Sequence, residues 1–335
     1  MNKPLVTAAI RTYNRAHLLP YAIESVLLQT HKEIELIIMD DCSTDNTSEL
    51  INKYVHKNKR IRHIRQKTNK GHTVAFNKII STARGSYVAF LDDDDRWRRN
   101  KIRLQVEEFE KSKEKGKDIG IVTCAVQRWL TRGNVKRKLD IWTPKNKGMV
   151  YQKALGGSDK FFGPPSAVML DREIIRNLGP VNENIKRSPE QYYFKLISKN
   201  YRISYINYIG VDYYYHKNTI TRFSGNEDYR KAINTREISM ITFGKDLKKQ
   251  PKVYSNELRM LAHEYSMIGK LEEGKKQLKR SMKIAPSLNR FLIEQKLVSN
   301  LGIKFYKLYF NVKSKTYNLL NFFKSLVISK TTKAS

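Results

Sequence analysis

Apolar runs alternate with amphipathic stretches through the first third of the chain. Leu5–Ile10 has the pattern of a short buried strand, and Ala16–Gln29 carries Leu19, Ala22, Ile23, Val26 and Leu27 at helical spacing. Ile34–Met39 is a continuous apolar strand that closes on Asp40-Asp41. Ser43-Thr44-Asp45-Asn46 then offers capping side chains for a helix to about Val55. Ile61–Arg65 predicts a third strand and Thr73–Ala83 a third helix. Tyr87–Leu91 predicts a fourth strand that runs into Asp92-Asp93-Asp94-Asp95. Uniformly apolar strands separated by amphipathic helices predict an α/β fold, with a Rossmann-like, mainly parallel sheet sandwiched by helices. Ligands of such sheets sit beyond the carboxyl ends of the strands. Thr12-Tyr13-Asn14, Asp40-Asp41 and the four aspartates all fall at those ends.

After a helix at Asn100–Lys115 the pattern loosens. Ile119–Val126 reads as a strand, while Gly156-Gly157 and Gly163-Pro164-Pro165 mark loops. Helices are expected to begin near Asp171 and at Ser188, followed by strands at Arg202–Ile206 and Val211–Tyr215. From about Asn234 the sequence is helical and basic. Leu258, Leu261, Ala262, Tyr265, Gly269, Leu278 and Pro286 there match one tetratricopeptide-like helix pair, although Gly274 and Ser281 stand where that motif prefers alanine. An ordinary helical hairpin fits equally well. The expected division is a domain over residues 1–230 and a basic helical appendage over 231–335.

Composition narrows the classes. The chain has 335 residues, 40% of them hydrophobic, enough for a substantial core. Two cysteines, Cys42 and Cys124, supply neither a disulfide framework nor a zinc cluster, which points to a reducing compartment. Apolar runs fall short of the roughly 20 residues that span a bilayer. The start, Met1–Asn14, turns polar too early for a signal peptide. A cytoplasmic protein is expected. Charge is the outlier: 64 Lys and Arg against 32 Asp and Glu give +32. That excess implies an anionic partner, or a lysine-rich surface without one.

Four acidic residues at one strand end repel unless something positive joins them. Carboxylates are the ligands that Mg²⁺ and Mn²⁺ prefer, and magnesium typically combines one or two of them with substrate phosphates. The alternative is an acidic loop paired with Arg96, Arg98 and Arg99; Asp40-Asp41 at the neighbouring strand end weighs against it.

Taken together, several segments resemble the family 2 glycosyltransferases, which use a nucleotide-sugar on a GT-A fold. They are Arg11–Arg15, Ser25–Thr30, Met39–Asp45, Asn69-Lys70-Gly71 and Gly85–Asp95, in the family's order and spacing. Weaker likenesses extend through Gly163–Ser166, Leu178–Glu183 and Tyr214–His216; the chain beyond Asn234 is not covered. The resemblance implies that Thr12 and Tyr13 lie against the nucleobase, that Asp41 hydrogen-bonds it, and that Asn69 and Gly71 belong to the loop beside the nucleotide. It implies that Asp92, Asp93 and Asp94 form the metal motif, with Asp94 on Mn²⁺ or Mg²⁺ and Asp92 near the ribose or metal. Two departures stand out: Arg11 occupies a position where proline is usual, and Cys42 one where a small residue is common.

Glycosyl transfer to an alcohol also needs a base. The family carries it on a Glu-Asp pair at a helix start, and the matching residues are Glu190 and Gln191. Gln191 cannot accept a proton, so Glu190 is the base candidate. Ser188-Pro189-Glu190-Gln191 reads equally as a capping box. His216 is a candidate contact for the diphosphate. The implied reaction is metal-dependent, inverting transfer from a nucleoside-diphosphate sugar to a glycan or lipid-linked acceptor, in cell-envelope or surface glycan synthesis. A non-catalytic nucleotide-sugar-binding relative and a basic nucleic-acid-binding protein are the rivals. No acidic residue follows Glu294, and Lys304, Lys307, Lys313, Lys315, Lys324 and Lys330 interleave with aromatic residues. That tail suits an anionic membrane surface, nucleic acid, or packing as a helix on the preceding helical pair. The resemblance, whose members often act on lipid-linked or envelope acceptors, favours the inner face of the cell membrane over nucleic acid.

Overall fold

The structure is a computed structural model that describes residues 3–132, 135–156, 159–216 and 225–285. The chain divides into two compact units, residues 1–220 and 221–335.

The first unit is built on one sheet. Strands β1 (Val6–Thr12), β2 (Ile34–Asp40), β3 (Ile61–Arg65) and β4 (Tyr87–Asp92) run parallel in the order β3-β2-β1-β4. Their crossovers are α1 (Leu19–Leu27), α2 (Thr47–Lys57) and α3 (His72–Thr82). Every residue of β2 is buried, as in a strand covered on both faces. Ile10, Leu36, Ile38, Tyr87, Ala89 and Leu91 share one core with Leu19, Ile23 and Val26 of α1. Gly85 opens β4 because a Cβ there would lie 2.4 Å from the Thr7 amide nitrogen.

Beyond β4 the sheet becomes mixed. The short strand β5 (Arg96–Trp97) and helix α4 (Lys101–Glu114) lead to β6 (Ile119–Arg132) and β7 (Val135–Trp142). Two single-turn helices, α5 (Tyr151–Ala154) and α6 (Asp159–Phe162), precede β8 (Met169–Asp171), and β9 (Arg202–Tyr215) completes the sheet. β8 lies antiparallel between β4 and β6, and β9 runs parallel to β6. The apolar pattern of Ile119–Val126 captures only the buried half of β6; the rest pairs with β7, an exposed strand whose Lys136, Arg137 and Lys138 carry no apolar signal. The expected strands Arg202–Ile206 and Val211–Tyr215 are one strand, irregular in register opposite Cys124–Val126.

Two helices flank this half. Asp171 caps α7 (Arg172–Leu178) by accepting from the amides of Glu173 and Ile174. Helix α8 (Pro189–Asn200) does not start with the expected capping box. Ser188 is left-handed at φ 48° and its hydroxyl makes no cap bond, while Gln191 turns away to donate to the Gly163 carbonyl at 3.0 Å.

The second unit contains α9 (Asn226–Thr242), α10 (Gly244–Lys248), α11 (Pro251–Met267) and α12 (Leu271–Ile284). Helices α11 and α12 form a hairpin with Leu258, Leu261, Ala262 and Leu278 buried. The two departures from alanine have physical causes. A Cβ on Gly274 would meet Ser266 Oγ at 2.7 Å, and Ser281 Oγ donates to the Ser255 carbonyl at 2.8 Å. Arg236 of α9 joins Glu257 and Glu264 of α11. Pro286 and the lysine-aromatic tail lie outside the described residues.

Candidate functional site

Three strand ends meet at the carboxyl edge of the sheet. After β1, Asn14 adopts φ 52°, a conformation asparagine tolerates because its side chain bonds locally. Its Oδ1 accepts from the Thr44 amide at 2.8 Å and its own amide donates to Ser43 Oγ at 3.0 Å. This stitches the β1 turn to the β2 turn. Thr12 is buried and Tyr13 is 44% exposed, an open aromatic face beside it.

The aspartate pair after β2 divides its work. Burial disfavours charge on Asp40, yet the adjacent His63 ring and the Ser43 and Ser48 donors more than offset it and hold the carboxyl below the usual range. Asp40 is therefore a fixed anion inside the turn. Asp41 Oδ1 accepts from Gln66 Nε2 at 2.7 Å and the Lys70 amide at 3.1 Å, and its Oδ2 accepts from the Gly71 amide at 3.1 Å. Asn69 Oδ1 accepts from that same amide at 3.1 Å. Gly71 needs to be glycine for its φ of 80°; a Cβ would meet no neighbour.

The acidic run after β4 splits in the same way. Asp95 is buried, accepts from Ser166 Oγ at 2.6 Å and from the Tyr214 amide at 3.1 Å, and so ties the turn to β9. Burial first, then the charges of Asp94 and Asp92, push its carboxyl well above the usual range. Asp92 and Asp93 are partly open to solvent but walled in by protein. Burial and Asp94 raise Asp92 to about 7, with Glu190 adding to the shift and Arg11 opposing it. Asp93 rises to about 6 for the same two leading reasons, opposed by Arg15. Asp94 Oδ2 faces basic side chains instead: His216 Nε2 at 2.7 Å and Arg15 Nη1 at 3.5 Å.

Glu190, on the first turn of α8, arrives from the opposite side and is only 3% exposed. Its Oε1 meets Arg11 Nη1 of β1 at 3.4 Å and is hydrogen-bonded to His72 Nε2 at the start of α3. Burial raises its pKa and Arg11 works against that rise. Gln191 Oε1 is buried without a hydrogen-bond partner among the described residues. His72, and Arg11 as a partner of Glu190, are the residues that sequence reasoning missed. Proximity to Asn69-Lys70-Gly71 was the available signal for His72.

Repulsion within Asp92–Asp94 is an observation that fits a divalent cation. Among the described residues no three His, Cys, Asp or Glu side chains form a ready cage. That donor set suits an ion sharing one or two protein carboxylates with phosphates. Asp94, with Asp92 and the imidazole of His216 beside it, are the residues available to hold it.

Comparison with known proteins agrees with this geometry. The family model described as "Glycosyl transferase family 2" matches residues 7–179. TuaG of Bacillus subtilis, a glycosyltransferase named for teichuronic acid biosynthesis, is 42% identical over 105 residues, covering 31% of this chain and 42% of TuaG. WfaP of Escherichia coli, named as a UDP-Glc:α-D-GlcNAc-diphosphoundecaprenol β-1,3-glucosyltransferase, is 43% identical over 109 residues, 32% of this chain and 43% of WfaP. The chain thus matches less than half the length of these two relatives. Among solved structures, Staphylococcus aureus TarS residues 1–349 with UDP-GlcNAc superposes at TM-score 0.59 and 18% identity over 84% of this chain and 82% of that one. A Pyrobaculum calidifontis mannosyltransferase with GDP-Man and Mn²⁺ does so at 0.52 and 16%, over 97% and 88%. These likenesses show a GT-A fold. With its family match spanning the strand ends and the acidic run, the chain belongs to glycosyl transferase family 2.

Proposed function

We propose that this protein transfers a glycosyl group from a nucleoside-diphosphate sugar to an acceptor hydroxyl, with inversion at the anomeric carbon. The observation that carries the reading is Arg11, which meets Glu190 Oε1 at 3.4 Å and pairs in register with Asp92 at the end of β4, so that Glu190 from α8 and the acidic run share one neighbour. A leaving-group site and a proton acceptor then face one reaction space.

The nucleobase rests against Thr12 and Tyr13 and is bounded by Asp41 and the Asn69–Gly71 loop. Asp41 keeps that loop in place through the two bonds it accepts from the Lys70 and Gly71 amides. A Mn²⁺ or Mg²⁺ ion held by Asp94 and Asp92 would neutralise the charge that develops on the departing nucleoside diphosphate. Glu190 accepts the proton of the attacking hydroxyl. Direct attack opposite the leaving group inverts the anomeric centre, so a single base suffices. Burial raises the Glu190 pKa, and Arg11 opposes that rise in favour of the ionised form that a base requires. The unpartnered Gln191 Oε1 offers an acceptor for a hydroxyl of the sugar being extended, which would relieve the cost of leaving it buried and unpaired.

The acceptor class we favour is a glycan or lipid-linked saccharide of the cell envelope, supported by the names of TuaG and WfaP. We place the protein in the cytoplasm, peripheral on the inner face of the membrane. The +32 charge and the lysine-aromatic sequence after Glu294 support that placement. Among the described residues no helix is long and apolar enough to cross a membrane. The test is nucleoside-diphosphate release from a panel of nucleotide-sugars with Mn²⁺, with and without Glu190→Gln. Loss of release in the variant supports the reading, and equal release removes Glu190 from it.

A further inference from the structure

We infer that His72 is a positioning residue that couples the donor-side loop to the base, an inference that rests on Glu190 being that base. Asp41 Oδ2 accepts from the Gly71 amide at 3.1 Å, and the next residue, His72, begins α3 and reaches Glu190. One rigid step of backbone therefore links a group beside the nucleotide to a carboxylate on a helix more than a hundred residues away.

The bond is selective. His72 Nε2 and Arg11 Nη1 both contact Oε1 of Glu190, and neither contacts Oε2. With Glu190 ionised, the form Arg11 favours, the imidazole Nε2–H donates to Oε1. Two donors on one oxygen leave Oε2 outside these two bonds and restrain the carboxylate about its terminal torsion. A free carboxylate rotates broadly about that bond, and small misplacements of a base are costly to rate. A cationic partner alone would not give this arrangement: Arg11 is longer, more distant at 3.4 Å, and enters from β1. The side chain of His72 is 26% exposed against 4% for Glu190, so the ring is the more open member of the pair.

The test compares His72→Ala, His72→Asn and His72→Gln in the full chain, alone and with Glu190→Gln. Asparagine is too short to reach Glu190, whereas the glutamine amide donates at about the position of Nε2. Turnover is read as Mn²⁺-dependent hydrolysis of UDP-glucose, UDP-N-acetylglucosamine and GDP-mannose. Expected is an about 10²-fold loss of kcat in the alanine and asparagine variants with donor KM within about twofold, and recovery to within about fivefold in the glutamine variant. Either His72→Asn or His72→Ala suffices if the other fails to fold. Adding His72→Ala to Glu190→Gln should cost nothing further, because His72 acts only through Glu190. In ¹⁵N-histidine spectra of the unliganded protein, the Nε2–H signal of His72 should be hydrogen-bonded in wild type and lose that bond in Glu190→Ala, which removes the acceptor oxygen that glutamine would keep. Glutamine as inactive as alanine would make His72 the proton acceptor and overturn positioning. Unchanged turnover in His72→Ala, additive losses in the double variant, or an Nε2 signal indifferent to Glu190→Ala would each overturn it as well. Failure of the base reading looks different: Glu190→Gln itself stays active, or none of the three donors is turned over, while the Nε2 signal still reports on the bond.

Discussion

His216 Nε2 lies 2.7 Å from Asp94 Oδ2, and Arg15 Nη1 approaches the same oxygen at 3.5 Å. These contacts join the end of β9 and the β1 turn to the third aspartate of the acidic run, 122 residues from His216. Asp94 thus has basic side chains against its carboxylate, while burial and repulsion from Asp94 dominate at Asp92 and Asp93.

Asp94→Asn should abolish transfer and leave the fold intact. It removes a ligand charge and relieves the repulsion that raises Asp92, Asp93 and Asp95. The melting temperature should hold or rise, and nucleoside diphosphate with Mn²⁺ should no longer raise it further. Unchanged turnover would remove Asp94 from the metal motif.

The same repulsion sets a pH dependence. Asp92 and Asp93 titrate at about 7 and about 6 when folded, against an ordinary 3.8. A raised folded pKa means the neutral form is favoured, so their contribution is complete below the ordinary value and is lost as pH rises through 6 to 7. Asp95 and Glu190, also raised, act in the same direction. Asp40, shifted the other way, acts only in acid, and Lys101, lowered to about 8 by burial, acts above this window. The metal-free protein should melt lower at about pH 8 than at about pH 5, and Asp92→Asn should flatten that slope. A slope identical in the variant would remove Asp92 as its source.

Restoring the family's acidic residue should not help here. Gln191 Nε2 donates to the Gly163 carbonyl at 3.0 Å, and an aspartate is shorter, cannot donate, and brings a second charge beside Glu190. Gln191→Asp is expected to lower kcat about tenfold. An increase in kcat would mean that the base belongs at 191 and that Glu190 assists.

The tail prediction is independent of the site. Intact protein should sediment with anionic vesicles and detach as salt rises, since each lysine near such a surface is worth about 1 kcal/mol. A chain ending after Ile293 should lose that binding and keep nucleotide-induced stabilisation. Tail-dependent binding to oligonucleotides with none to vesicles would reverse the membrane placement.

Much of this was legible in the chain, for a physical reason. β1, β2 and β4 lie within two residues of where the pattern puts them, because strands buried on both faces must be apolar throughout; β3, a partly buried edge strand, also begins and ends as expected. Thr12, Asp41 and Asp92 were legible because each stands at such a strand's end. β7 was not, since an exposed strand with Lys136, Arg137 and Lys138 buries nothing that periodicity could register. The partners of Glu190 were not either. His72 and Arg11 are 118 and 179 residues distant, and only the closed sheet brings them to one oxygen. The capping box failed because Gln191 found a better partner in Gly163 than in the Ser188 backbone.

Glycosyl transfer itself is tested most directly by incubating the protein with UDP-, GDP- and dTDP-sugars, Mn²⁺ and a mixture of envelope saccharide acceptors, following free nucleoside diphosphate and the anomeric signal of the product by NMR. One donor should release its nucleoside diphosphate and yield a product inverted at the anomeric carbon, with release lost on chelation and in Glu190→Gln. Release that survives both, or a product that retains the donor's configuration, would contradict it.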